Sequence, residues 1–153
     1  MTASSTFVDR DRGWNSFQRL VVDMNSKVVV VGVIHGQIAT YATANEFGVP
    51  SRNIPARPAF RTMVDKNRDM LGRELNRQMQ RQIARRSPSS DGAYISVGLL
   101  ASNLLKKSIR NWSIPPNAPS TILQKGVNNP LADTGAEQQA VTFEVRSRGA
   151  VGS

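Results

Sequence analysis

Residues 27–35 read KVVVVGVIH, the most β-branched stretch of the chain, and their conformation decides the fold. Valine and isoleucine are stiff at χ1 and suit a pleated backbone, so this run predicts a strand with one interior glycine, Gly32. Its apolarity is continuous rather than alternating. That predicts burial on both faces, or burial on one face and a subunit contact on the other. Gly36 breaks the strand. Far downstream, Ala140–Arg146 (AVTFEVR) sets Val141, Phe143 and Val145 against Thr142, Glu144 and Arg146, the alternation of a half-buried strand.

The segments around these strands read as helices. From Asp9 onward, Trp14, Phe17, Leu20, Val21 and Met24 share one helical face, and Asn25–Ser26 ends the pattern. Within 38–47 (IATYATANEF), Tyr41, Ala44 and Phe47 keep helical spacing, and Gly48 and Pro50 follow as stop signals, so a short helix is preferred to a second strand. Residues 48–58 hold three prolines and predict an extended connector. Pro58 stands where a first-turn proline belongs. Beyond it Phe60, Val64, Leu71, Leu75, Met79 and Ile83 trace an apolar stripe, predicting a helix of roughly 40 Å that runs to about Arg86. Residues 87–92 (SPSSDG) terminate it. A second amphipathic helix is expected over 93–112, with Val97, Leu100, Leu104, Ile109 and Trp112 as core positions and Gly98 weakening it.

Residues 113–135 are turn chemistry throughout, with four prolines. Ile122, Leu123, Val127 and Leu131 are scattered among them, so a long proline-rich loop that packs on something is expected. Helices enclosed by a first and a last strand predict an α+β domain. Its small, mostly antiparallel sheet would pack against the long helix and the second amphipathic helix. A third strand or hairpin is expected as well, although no segment marks it. The organisation is one domain over 9–146 with 113–135 as an extended interaction loop, a flexible arm at 1–8 and a flexible tail at 147–153.

At 153 residues, the chain carries 20 Lys+Arg against 11 Asp+Glu, a net charge of +9. Only Lys27, Lys66, Lys106, Lys107 and Lys125 are lysines, so most of the bases are arginines, which suit forked pairing with carboxylates and phosphates. There is no cysteine, so no disulfide, thiolate metal site or cysteine nucleophile is available. A single histidine, His35, cannot build a multi-histidine metal site, and no acid and nucleophile lie beside it in sequence. The acids are scattered without metal-cage or glycosidase spacing, and GVIHG (32–36) lacks a phosphate-loop lysine. Neither an enzyme nor a cofactor is expected. The longest valine run, Val28–Val31, falls far short of the roughly 20 residues of a membrane span, so no membrane contact is expected. MTASSTFVDRDR lacks a signal-peptide core, which predicts an intracellular chain or one assembled inside a cell.

The bases concentrate on the long helix, where Arg73, Arg77, Arg81 and Arg85 fall four apart opposite the apolar stripe. Such a row can face phosphates, acids on a neighbouring subunit, or solvent. No aromatic residue is interleaved with it, so single-strand stacking has no platform there.

Two segments carry a resemblance. YATANEFGVPSRNIPARPAFR (41–61) and PPNAPSTILQKGVNNPLADTG (115–135), followed by a strand, resemble in order and spacing the neck or tail-completion (head–tail joining) proteins of long-tailed bacteriophages. Together they span roughly residues 28–146. Where that family often has proline followed directly by phenylalanine, this chain has Pro58-Ala59-Phe60. The resemblance implies a small α+β subunit without enzymatic activity that forms a homo-oligomeric ring around the DNA path at the virion neck, assembled in the host cytoplasm. Its implied partners are other copies of itself, a head-closure or connector protein, and a tail terminator or tail tube protein, with non-specific contact with the phage genome. Assembly contacts are then expected at Phe47, Pro55, Arg57 and Pro58 of the first segment. The second segment offers Pro116, Pro119, Thr121, Lys125, Leu131 and Asp133, and the arginine row adds Arg73, Arg77, Arg81 and Arg85. The competing expectation is a small basic DNA-binding protein.

Overall fold

Gly13, in the left-handed region at φ 101°, opens the first helix, and its carbonyl accepts the Phe17 N–H at 2.9 Å. In the computed structural model, which describes residues 13–83, 85, 88–117, 119, 122–123, 126, 131 and 135–150, α1 spans Trp14–Ser26. It runs without a loop into β1 (Lys27–Gly32). α2 follows at Gln37–Phe47, then a 3-10 turn at Pro50–Arg52, α3 at Ala59–Ile83 and α4 at Asp91–Arg110. A short α5 (Ala136–Ala140) leads into β2 (Thr142–Ser147) and a last 3-10 turn at Arg148–Ala150.

The two strands pair antiparallel, with Val29 opposite Val145 and Val31 opposite Phe143, so the β-branched run meets the alternating one as expected. α4 lies beneath both strands, and α3 packs alongside α4. The protein is therefore α+β. One end of the core gathers Ala59, Met63, Leu105, Ile109, Leu131 and Val141, with Val31 and Phe60 packed against it. The other end joins Met79, Ala93 and Tyr94 to Met24, Leu75, Val29 and Val145.

Several sequence expectations shift. The sheet has two strands among the described residues, and no third strand appears there. β1 stops at Gly32, and its valines are half-buried rather than enclosed on both faces, because Val29 and Val31 face the helices while Val28 and Val30 stand opposite Arg146 and Glu144. On α4 the buried stripe is Tyr94, Gly98, Ala101, Leu105 and Ile109; Ile109 is buried as expected, and Leu104 and Trp112 pack partly buried against the core, but the stripe is rotated away from Val97 and Leu100. Gly98 lies on this face against the sheet: a Cβ there would lie 2.2 Å from Cδ2 of Phe143. On α3, Met63 rather than Val64 enters the core. Of the predicted α1 face only Leu20 is buried, while Trp14 and Phe17 stack on each other in the open with ring centroids 5.7 Å apart. α3 ends at Ile83, short of Arg86, and α4 begins at Asp91, inside the segment read as a terminator. α5 was not expected at all. The tail expected from 147 begins inside β2, since Ser147 pairs with Lys27. The arm at 1–8, a helix start at Asp9, residues 151–153 and most of the proline-rich loop lie outside the described residues.

Asp23 joins α1 to α4. Its Oδ2 accepts the Ser90 N–H at 3.0 Å and the Ser90 hydroxyl at 2.6 Å, at the start of α4. Lys27 Nζ lies 2.7 Å from Asp23 Oδ1 and 2.5 Å from Asp91 Oδ1. The Lys27 ammonium foremost, then the two bonds from Ser90, hold the Asp23 carboxyl at about 2, below its ordinary 3.8. A depressed carboxyl stabilises the fold fully above its unfolded value, and that contribution is lost as pH falls through about 2. With the side chain 31% exposed, the effect is about 1–2 kcal/mol after discounting for solvent. Urea titrations between pH 6 and pH 2 should show this acid-side loss, and Asp23→Asn should remove part of the slope.

Candidate functional site

The segment that carries the resemblance ties three helices together. At the end of α2, Asn45 Nδ2 donates to Glu137 Oε2 of α5 at 2.8 Å. The next residue, Glu46, accepts the Phe60 N–H on Oε2 and the Arg61 N–H on Oε1, both at 3.0 Å. Those N–H groups belong to the first turn of α3 and have no partner within the helix, so a carboxylate from 14 and 15 residues upstream caps them. Gly48 closes the loop at φ 74°, where a Cβ would lie 2.8 Å from the Ala56 nitrogen. Val49 and Ile54 exchange backbone bonds at 2.9 and 3.1 Å, and the Arg57 N–H returns to the Asn45 carbonyl at 2.6 Å.

Arg57, expected at an interface, is half-buried, and its Nε points at the Pro115 carbonyl 3.5 Å away. Burial lowers its guanidinium from the ordinary arginine value. It ties the connector to the start of the proline-rich segment. Pro58 directly precedes α3, and its carbonyl accepts the Thr62 N–H at 3.0 Å. Phe47 and Pro55 are exposed, Phe47 at 64%. Pro116 and Pro119 are exposed too. Leu131 is not a surface residue: it is 5% exposed and belongs to the core beside Leu105 and Ile109, which an aliphatic side chain favours over water. Thr121, Lys125 and Asp133 lie outside the described residues.

On α3, Arg73, Arg77 and Arg81 are all exposed, each about 6 Å further along the axis, and Arg85, past the helix end, is exposed as well. Arg77 pairs with Glu74. Glu74 also accepts Gln78 Nε2 at 2.7 Å and the Ser96 hydroxyl of α4 at 3.1 Å, and the bond from Gln78 is the foremost cause of its lowered pKa. Arg73, Arg81 and Arg85 make no ion pair among the described residues. Arg73 and Arg81 of α3 thus turn positive charge to solvent with no ion-pair partner among the described residues.

Apolar side chains are uncovered elsewhere. Trp14 and Phe17 on α1, Tyr41 and Phe47 on α2, and Ile95 and Leu99 on α4 are all exposed. His35 is hydrogen-bonded to Glu144 Oε1 at 3.0 Å and is itself solvent-exposed. Among the described residues no cluster of three or more acids and histidines is placed to hold a metal ion, and no helix is long and apolar enough to cross a membrane. The expected contact residues thus do not converge: Phe47, Pro55 and the arginines are open, while Arg57 and Leu131 work within the subunit. The cap by Glu46 had no local signal, because Glu46 and the helix it serves are separated by the Pro-rich connector. Comparison with protein-family models, curated proteins and solved structures finds no match to this chain.

Proposed function

We propose that this chain is a structural subunit of a tailed-bacteriophage virion, forming an oligomeric ring at the neck that joins or completes the tail at the head–tail interface around the DNA path. The reading rests on the resemblance of residues 41–61 and 115–135, and one structural observation supports it most. Four helices of a 153-residue chain leave large apolar side chains in water, Trp14 at 63% and Leu99 at 51% exposure among them. Exposed apolar surface on several sides is what a subunit with two neighbours requires. In this reading the arginine row pairs with acidic surfaces of adjoining proteins, and no catalytic step is assigned to any residue.

Native mass measurement together with negative-stain imaging tests it, and a closed ring of one subunit number is expected. Arg73→Glu combined with Arg81→Glu should block joining to the partner proteins while leaving the far-UV spectrum unchanged, because both side chains are exposed and make no ion pair among the described residues. Joining at the wild-type level would remove the arginine row from the account.

A second reading, a small basic DNA-binding protein, is favoured by the unneutralised charge of Arg73, Arg81 and Arg85. It predicts duplex binding whose affinity falls with salt by about 0.9 log unit per phosphate engaged for each tenfold rise. Tight, steeply salt-dependent binding by a monomer would select it.

A further inference from the structure

The two-stranded sheet is incomplete on the β1 side. In an antiparallel ladder alternate residues turn their N–H and C=O toward the partner, and those between turn away. β2 serves one edge of β1. Val28–Val31 make no other backbone hydrogen bond among the described residues, so half of their amides and carbonyls face outward without a partner. An apolar strand edge left this way is a template for another strand.

Beside that same edge runs an open groove of about 380 Å³. Val29 and Val31 form one wall, Val64 and Leu71 of α3 the other, and Val97 and Ala101 of α4 the floor. No β2 residue lines it, so the groove lies on the unpaired side of β1. Phe60 closes one end, with its ring 3.4 Å from where a Cβ of Gly32 would be. A strand lies about 4.8 Å from its neighbour and sends every second side chain to the same face. A chain added to β1 would therefore satisfy the outward amides and drop alternate side chains into the groove.

The lining has one charged residue, Arg61. Glu46 takes its backbone N–H, but its exposed guanidinium has no ion-pair or hydrogen-bond partner among the described residues. A cation at the rim of an otherwise apolar slot selects a carboxylate on the incoming segment.

We infer that the free edge of β1 is a strand-addition site for an extended segment of another protein, alternately apolar and carrying an acidic residue that meets Arg61. Main-chain bonds supply the affinity, and the groove and Arg61 supply the selectivity. This does not depend on the ring reading: a monomer could bind the same segment.

The probe is a nine-residue N-acetylated peptide alternating valine with threonine and glutamate, added to the full chain and followed by amide hydrogen exchange. The fast-exchanging amides within Val28–Val31 should slow by about tenfold or more, since strand pairing protects amides where apolar contact alone does not. Arg61→Glu should weaken the peptide by about tenfold and favour a version with lysine in place of glutamate. Val64→Glu, at an exposed position on the far wall, should also weaken it. Three results would overturn the inference: no slowing in β1 at millimolar peptide, equal binding by wild type and Arg61→Glu, or slowing that rises with protein concentration and needs no peptide. The last would mean that a second copy occupies the edge.

Discussion

Gly98→Ala should destabilise the protein by about 2 kcal/mol in urea unfolding, although alanine is the better helix former by about 0.5–1 kcal/mol. The physical reason is the Phe143 ring. A Cβ on Gly98 would sit 2.2 Å from Cδ2 and 2.7 Å from both Cε2 and Cγ. Cγ lies next to the Phe143 backbone, so a small swing of the ring cannot clear all three atoms. Either β2 lifts off α4 or the ring leaves its slot. Gly72 is the control, since nothing lies within 4 Å of a Cβ built there and the site is exposed on α3. Gly72→Ala should stabilise by about 0.5–1 kcal/mol. The coupling is checked in a Phe143→Leu background, where Gly98→Ala should cost less than half as much. An equal cost in both backgrounds would show that the ring is not what makes Gly98 necessary.

Glu46→Ala should cost about 2–3 kcal/mol, more than an exposed acid normally contributes. Its carboxylate serves two first-turn N–H groups of the 25-residue α3, and removing it leaves both donors without a protein partner at the positive end of the helix. Glu46→Gln keeps one acceptor oxygen and no charge, so it should lose roughly half as much. Glu137, on α5, is a different case. Burial foremost, with Glu46 nearby, raises its pKa, while the bond from Asn45 lowers it. One of its oxygens, Oε1, is buried with no hydrogen-bond partner among the described residues. A raised carboxyl contributes against folding once it is ionised, so Glu137→Gln should be neutral or stabilising at pH 7 and should lose that advantage as pH falls below the ordinary carboxylate value.

The secondary structure was legible where hydrophobic period carried it. The valine run and AVTFEVR identified both strands, and α1 to α4 each stand near their expected positions. The faces were less legible. On α4, Val97 and Leu100 looked like core positions, but Gly98 lies against Phe143 and Ala101 and Leu105 are buried on that face. Glycine carries no hydrophobic signal, so period alone could not show this. Leu131 looked like a loop residue in contact with a partner because proline and asparagine surround it, yet core packing claimed it. Residues 41–61 stood out as a motif, but the structural work done within them did not: Glu46 and Asn45 act on α3 and α5 across long separations. The exposure of Arg73, Arg77 and Arg81 was legible, since it follows from four-residue spacing opposite an apolar stripe, whereas the helix end before Arg85 was not.

If the chain is a neck subunit as proposed, its copies close into a ring. The direct measurement is the native mass of the purified protein across a concentration series, read together with negative-stain images. A single species at a whole-number multiple of 16.8 kDa, seen as annular particles with a central channel, is the predicted result. A mass of 16.8 kDa at every concentration, with the neighbouring virion proteins present as well as absent, would contradict it.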